Sequence, residues 1–132
     1  MVPFVRALLD THVFLWWNEA NPQLSKKVSR ILADPANSLF LSVASAWEIA
    51  IKTQCGKLRI PEDAAIYVPT RAAHYGMEIL PIHLAHALAL ASLPLQHRDP
   101  FDRMLIVQSR IEKLPILTAD PAIHGYPVDT IW

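Results

Sequence analysis

The sequence is poor in cysteine and glycine and carries no excess of either charge. Its 132 residues include one cysteine, Cys55, so no disulfide forms within the chain, which suits a reducing compartment. Cys55 also lacks a Cys or His partner at zinc spacing. Three glycines leave no glycine-rich loop to cradle phosphates. Twelve Lys and Arg offset twelve Asp and Glu, which argues against a protein that grips nucleic acid mainly through a basic surface. A bilayer span needs ~20 consecutive apolar residues. Val2 to Leu9 is short and contains Arg6, and Ile79 to Leu95 is broken by Pro81, His83, His86 and Pro94. Neither a secretory signal nor a membrane span is expected, and the protein is expected in the cytoplasm with no membrane partner.

What is present is a globular composition, 52% hydrophobic, with residues 1–132 expected to form one domain. The eleven prolines mark element boundaries. Phe4 to Leu9 reads as a buried strand and Thr11 to Asn18 as a short helix. Asn21-Pro22 reads as a helix start, with the helix Gln23 to Ala33 following. Ser38 to Val43 is a second strand, and a helix opens at Ser45 and closes near Gly56. Pro61 begins a helical stretch that Pro69 interrupts. Met77 to Ile82, Pro115 to Thr118 and Val128 to Trp132 are further strands, and His83 to Ser92 and Phe101 to Lys113 further helices. Alternating short apolar strands and helices predict an α/β fold: a three-layer α/β/α domain with a short parallel sheet.

In such sheets ligands bind beyond the carboxyl ends of the strands, and acidic residues fall there. Asp10 follows the first strand and Asp120 the fourth; Glu48 lies about a turn into the helix after the second strand; Asp102 opens a later helix. Each has a structural alternative. Asp10 is placed to cap a helix, Ser45 and Glu48 match a capping box, Asp99 is placed as the N-cap before Asp102, and Asp120-Pro121 suits a turn. Jointly they point elsewhere, because two carboxylates ~4 Å apart repel by roughly 4 kcal/mol at an effective dielectric of 20. Several crowded together must protonate or bind a cation. A hard cation such as Mg²⁺ takes such oxygen ligands, and can activate water and neutralise a phosphoryl oxygen. His83 and His86 are read as core or surface residues. His12, Ser42 and Ser45 form no nucleophile pattern, and a phosphatase using Asp10 would want an acid where His12 stands.

Leu8-Leu9-Asp10-Thr11-His12, Ser45-Ala46-Trp47-Glu48-Ile49, Asp99-Pro100-Phe101-Asp102-Arg103-Met104-Leu105-Ile106 and Leu117-Thr118-Ala119-Asp120 together resemble the PIN domain, and more narrowly the VapC toxins of toxin–antitoxin pairs. The resemblance implies an Mg²⁺- or Mn²⁺-dependent endoribonuclease with an RNA substrate, a VapB-like antitoxin partner and homodimers. It places the family's acidic positions on Asp10, Glu48, Asp102 and Asp120, as metal ligands and catalytic residues. Thr11 and Thr118 are candidates to hydrogen-bond a carboxylate or water. Arg98 and Arg103 are candidates to contact RNA, although Arg103 has an alternative role pairing with Asp99 or the C-terminal strand. The apolar helix Thr11 to Asn18 is expected to expose part of its Trp16 and Trp17 surface to a partner.

Overall fold

The computed structural model describes residues 4–132. The chain runs β1 (Arg6–Leu9), α1 (Thr11–Asn18), α2 (Lys26–Ala33), β2 (Ser38–Ser42), α3 (Val43–Gln54), α4 (Ala64–His74), β3 (Glu78–Leu80), α5 (Leu84–Ala89), a 3₁₀ turn at Leu90–Ser92, α6 (Pro100–Glu112), β4 (Ile116–Leu117), α7 (Pro121–His124) and β5 (Thr130–Ile131). The five strands form one sheet in the order β3-β2-β1-β4-β5. Every pairing is parallel, with Leu8 opposite Phe40 on one side and Ile116 on the other.

Successive strand side chains point to opposite faces, and the core divides accordingly. Ala7, Leu9, Leu39, Leu41 and Leu117 join Val13, Phe14, Val28 and Tyr67 on one face. Leu8, Phe40, Leu80 and Ile116 join Met104, Leu105, Ile106 and Ile123 on the other. This is the expected three-layer α/β/α arrangement. From β1 the chain builds outward through β2 and β3, then crosses back to place β4 on the other flank of β1. The carboxyl ends of β1 and β4 are therefore a topological switch point, where parallel sheets open a crevice.

Several boundaries differ from the sequence reading. Asn21-Pro22 does not start α2: the Asn21 side chain accepts from the Gln23 backbone in a local turn, and Ser25 caps the helix by accepting from the Val28 N–H. Pro69 lies inside α4 without ending it, because it and Ala65, the carbonyl it would leave unpaired, are on the solvent side where water takes the bond. Ser45 does not open α3. Ser42 does, its hydroxyl accepting from the Ala44 N–H. Strands β3, β4 and β5 are only two or three residues long, shorter than their apolar runs. No helix of the described residues is long and apolar enough to cross a membrane.

Candidate active site

At the switch point lies a pocket of about 330 Å³ lined by Asp10, Glu48, Asp99, Asp102 and Asp120, with Lys52 and Lys57 on its rim. The fold brings these acids together from four elements. Asp10 sits at the end of β1, where a cap residue for α1 belongs, but its side chain makes no capping bond. Instead its Oδ2 accepts from Thr118 Oγ1 at 2.6 Å and lies 3.1 Å from His12 Nδ1. The cap alternative for Asp10 is thus excluded, and the Thr118 hydroxyl, one of the two threonine candidates, donates to its carboxylate. Thr11 does not: its hydroxyl donates to Ser45 Oγ at 2.8 Å, tying α1 to α3 rather than touching a carboxylate.

Glu48 loses its structural alternative too. With Ser42 as the cap of α3, Ser45 lies inside the helix and the capping box does not form. Glu48 is 6% exposed, its Oε2 accepts from Lys52 Nζ at 2.5 Å, and its Oε1 is buried without a partner. A buried carboxylate oxygen left unpaired is costly, and a cation would satisfy it. Lys52 stands one turn on from Glu48, at the i,i+4 spacing that pairs such charges. Its ammonium is held above its ordinary range, first by the Glu48 hydrogen bond, with burial opposing.

Asp99 is the N-cap of α6, its Oδ1 accepting from Phe101 and Asp102 N–H groups at 2.9 and 3.1 Å. That frees Asp102, one turn in, to face the pocket. Burial is the main force raising the Asp102 carboxyl, to about 7; the hydrogen bond from His97 opposes it, while Asp10, Asp99 and Glu48 add to it. Asp120 divides its role: Oδ1 accepts from Ala122 N–H at 2.9 Å to cap α7, and the group still lines the pocket.

Arg103 is a correction. Its guanidinium pairs with neither the Asp99 carboxylate nor the last strand and does not line the pocket. It is buried, and its guanidinium donates to the carbonyls of Leu90, Leu93, Pro94 and His97, fixing the loop that leads into α6. Arg98 is exposed on that loop. His86 is a buried core residue whose Nδ1 accepts from His83 N–H at 3.0 Å; its Nε2 is 3.6 Å from Glu112, a carboxylate that the sequence spacing hid. Trp16 and Trp17 are both half-buried. Trp17 stacks on Tyr75, and Trp16 packs against His12 and Trp132, so each leaves part of its surface open, as expected, while packing the rest.

Two histidines join the site without having been singled out for it. His97 Nε2 is 2.8 Å from Asp102 Oδ2. Burial would lower His12, but the hydrogen bond and charge of Asp10, with Asp120 and Asp102 beyond, raise it overall. Their positions, two residues after Asp10 and two before Asp99, were the available signal.

The acids, the orphaned Glu48 oxygen and the raised Asp102 carboxyl fit a divalent cation, and the residues present suit one with hard oxygen ligands. A sequence model of the PIN domain family matches residues 7–128. Ribonuclease VapC16 of Mycobacterium tuberculosis is 50% identical over 56 residues, which span 42% of this chain and only 40% of that protein. The fold is similar to a chain of VapBC2 from Rickettsia felis, crystallised with a DNA fragment from its promoter: TM-score 0.69, 11% identity, 97% of this chain and 98% of that one covered. FitAcB from Neisseria gonorrhoeae gives a TM-score of 0.65 at 17% identity, with 96% of each chain covered. At these identities the structural likeness speaks for the fold alone.

Proposed function

This chain belongs to the PIN domain family, and we propose that it is an Mg²⁺- or Mn²⁺-dependent endoribonuclease acting as the toxin of a toxin–antitoxin pair. The observation that carries this reading is the meeting of Asp10, Glu48, Asp102 and Asp120 at one pocket, with Glu48 Oε1 buried and unsatisfied. In this reading those four residues hold the cation. When bound, it supplies charge neutralisation at the phosphodiester and lowers the pKa of the attacking water. Thr118 holds the Asp10 carboxylate in place. The bond between Thr11 and Ser45 fixes the α1–α3 angle, so that Asp10 and Glu48 keep their spacing. Lys52 and Lys57, on the pocket rim, supply local positive charge for RNA phosphates in a chain with none to spare overall. Arg98, exposed beside the site, is the remaining arginine candidate for RNA.

The same reading makes residues 1–132 one catalytic domain, a homodimer of the cytoplasm inhibited by a VapB-like antitoxin. Support comes from the similarity to Ribonuclease VapC16 and from the fold shared with VapBC2. The test is cleavage of matched RNA and DNA oligonucleotides by protein freed of any partner. RNA cleavage in Mg²⁺ or Mn²⁺ that stops with EDTA supports the reading. Undiminished cleavage in EDTA rejects the cation, and cleavage of DNA alone rejects the ribonuclease.

A further inference from the structure

We propose that His97 is a nitrogen ligand of the divalent cation, beside Asp102 and Asp120, and that it biases the site toward manganese over magnesium. The inference rests on the cation-binding reading above and adds to it a residue outside the four carboxylates.

Three observations carry it. His97, Asp102 and Asp120 each offer a donor atom, and these atoms all lie within 4.8 Å of one another. Ligands each about 2.1 Å from a small divalent ion stand roughly 3 Å apart when adjacent and about 4 Å apart when opposite, so this cluster needs little rearrangement to close on one. Second, His97 is built in place. Its N–H donates to the Tyr126 hydroxyl at 2.8 Å, its carbonyl accepts from Arg103 at 3.4 Å, and both anchoring side chains are buried. The ring is thereby aimed at Asp102 from a fixed backbone, as a metal ligand requires. Third, Asp102 and Asp120 share their pocket with Glu48, whose Oε1 is buried and unpartnered; that oxygen marks the pocket independently as a place for a cation, and His97 reaches its edge through Asp102.

His12 does not fill this role. Its Nε2 accepts from the Ala119 N–H at 3.4 Å and its Nδ1 faces Asp10 at 3.1 Å, whereas the donor atoms that cluster with Asp102 and Asp120 include His97. His97 is also unnecessary for the local fold: Asp99 caps α6, and the loop is held through backbone groups. A ring that pairs with a carboxylate at a cation pocket, yet holds no element together, is available as a ligand. Magnesium favours oxygen donors and gains little from imidazole, whereas first-row transition ions accept it readily.

The test uses the purified full chain. Mn²⁺ and Mg²⁺ are titrated by calorimetry into wild type, His97→Gln and His12→Gln, and the Mn²⁺ complexes are read by electron spin-echo spectroscopy for a directly bonded ¹⁴N. Wild type and His12→Gln are expected to show the nitrogen coupling and His97→Gln to lose it. Mn²⁺ affinity should fall roughly tenfold or more in His97→Gln, with Mg²⁺ affinity changing far less. Wild type and His12→Gln labelled with ¹⁵N-histidine should both convert the signal to ¹⁵N, which shows that a histidine other than His12 is bound even if His97→Gln misfolds. Bound Mn²⁺ without nitrogen coupling, or coupling that survives His97→Gln, overturns the inference and leaves the carboxylate site standing. Failure of wild type to bind either ion overturns both.

Discussion

At the scale of single residues, the site is a set of groups whose own electrostatics oppose the empty pocket. Asp102 is 8% exposed and raised to about 7, chiefly by burial. A carboxyl raised in the folded state favours folding fully below its unfolded pKa near 4, and loses that contribution as pH rises through about 7. His12, raised as well, acts in the same direction. In EDTA the protein should therefore melt higher at pH 5 than at pH 8. Asp102→Asn should recover on the order of 2 kcal/mol at pH 8; a variant that melts lower there would show that the charge is already compensated. Arg103 gives the opposite kind of prediction. Its guanidinium serves four loop carbonyls from a buried position, so Arg103→Ala should cost roughly 2–4 kcal/mol in urea melts. Arg98→Ala, on the surface, should leave stability unchanged. Equal stability of the two variants would mean that the loop does not depend on Arg103. Asp10 and Asp120 were legible as pocket acids because each follows a strand, Asp102 because it opens α6, and Glu48 because it lies early in the helix after β2. The burial of Arg103 and the pairing of His97 with Asp102 were not legible, because both depend on how a polar loop folds back over α6.

At the scale of elements, caps decided where the sequence reading held and where it slipped. Asp99-Pro100 starts α6 as the sequence predicts, since an acceptor side chain followed by proline satisfies the first free N–H groups and wastes none. The sequence predicts Ser45 as the cap of α3 because Glu48 follows at the capping-box interval. Ser42 competed successfully, since β2 ends three residues earlier and the chain turns directly into the helix. Asn21-Pro22 likewise looks like the start of α2, but Ser25 takes the cap. The C-terminus of α6 shows a local cost: Lys113 occupies the left-handed region at φ 56°, where a residue with a Cβ is strained. Lys113→Gly should stabilise the protein by about 0.5–1 kcal/mol, the relief of strain exceeding the added flexibility of the unfolded chain. A loss of stability in thermal melts would show that Lys113 makes contacts that outweigh its backbone strain.

At the scale of the whole molecule, the strand order explains why acids from distant parts of the sequence share one pocket. β1 lies at the centre with β4 beside it, so Asp10 and Asp120, over a hundred residues apart, follow neighbouring strands, and α3 and α6 deliver Glu48 and Asp102 from either side. The alternation of strands and helices made the layers legible. The strand order was not legible from the pattern of elements, because two- and three-residue strands carry too little sequence to show which neighbour they join. A cation that binds only the folded state adds to its stability. Mn²⁺ at about a hundred times its dissociation constant should add about 2.7 kcal/mol, raising the melting temperature by on the order of 10 °C, and Asp10→Asn should abolish most of that shift. The most direct measurement of the central claim is the single-turnover rate of RNA cleavage in saturating Mn²⁺ by wild type and Glu48→Gln, with folding checked by circular dichroism. Glu48 has no capping duty in this fold, so glutamine leaves the helix intact: its amide oxygen can still accept from Lys52, and what is lost is the negative charge offered to the cation and to Lys52. The rate should fall by about 100-fold or more in a protein that melts no lower than wild type. An unchanged rate in the folded variant would contradict the assignment of this acidic pocket as the nuclease site.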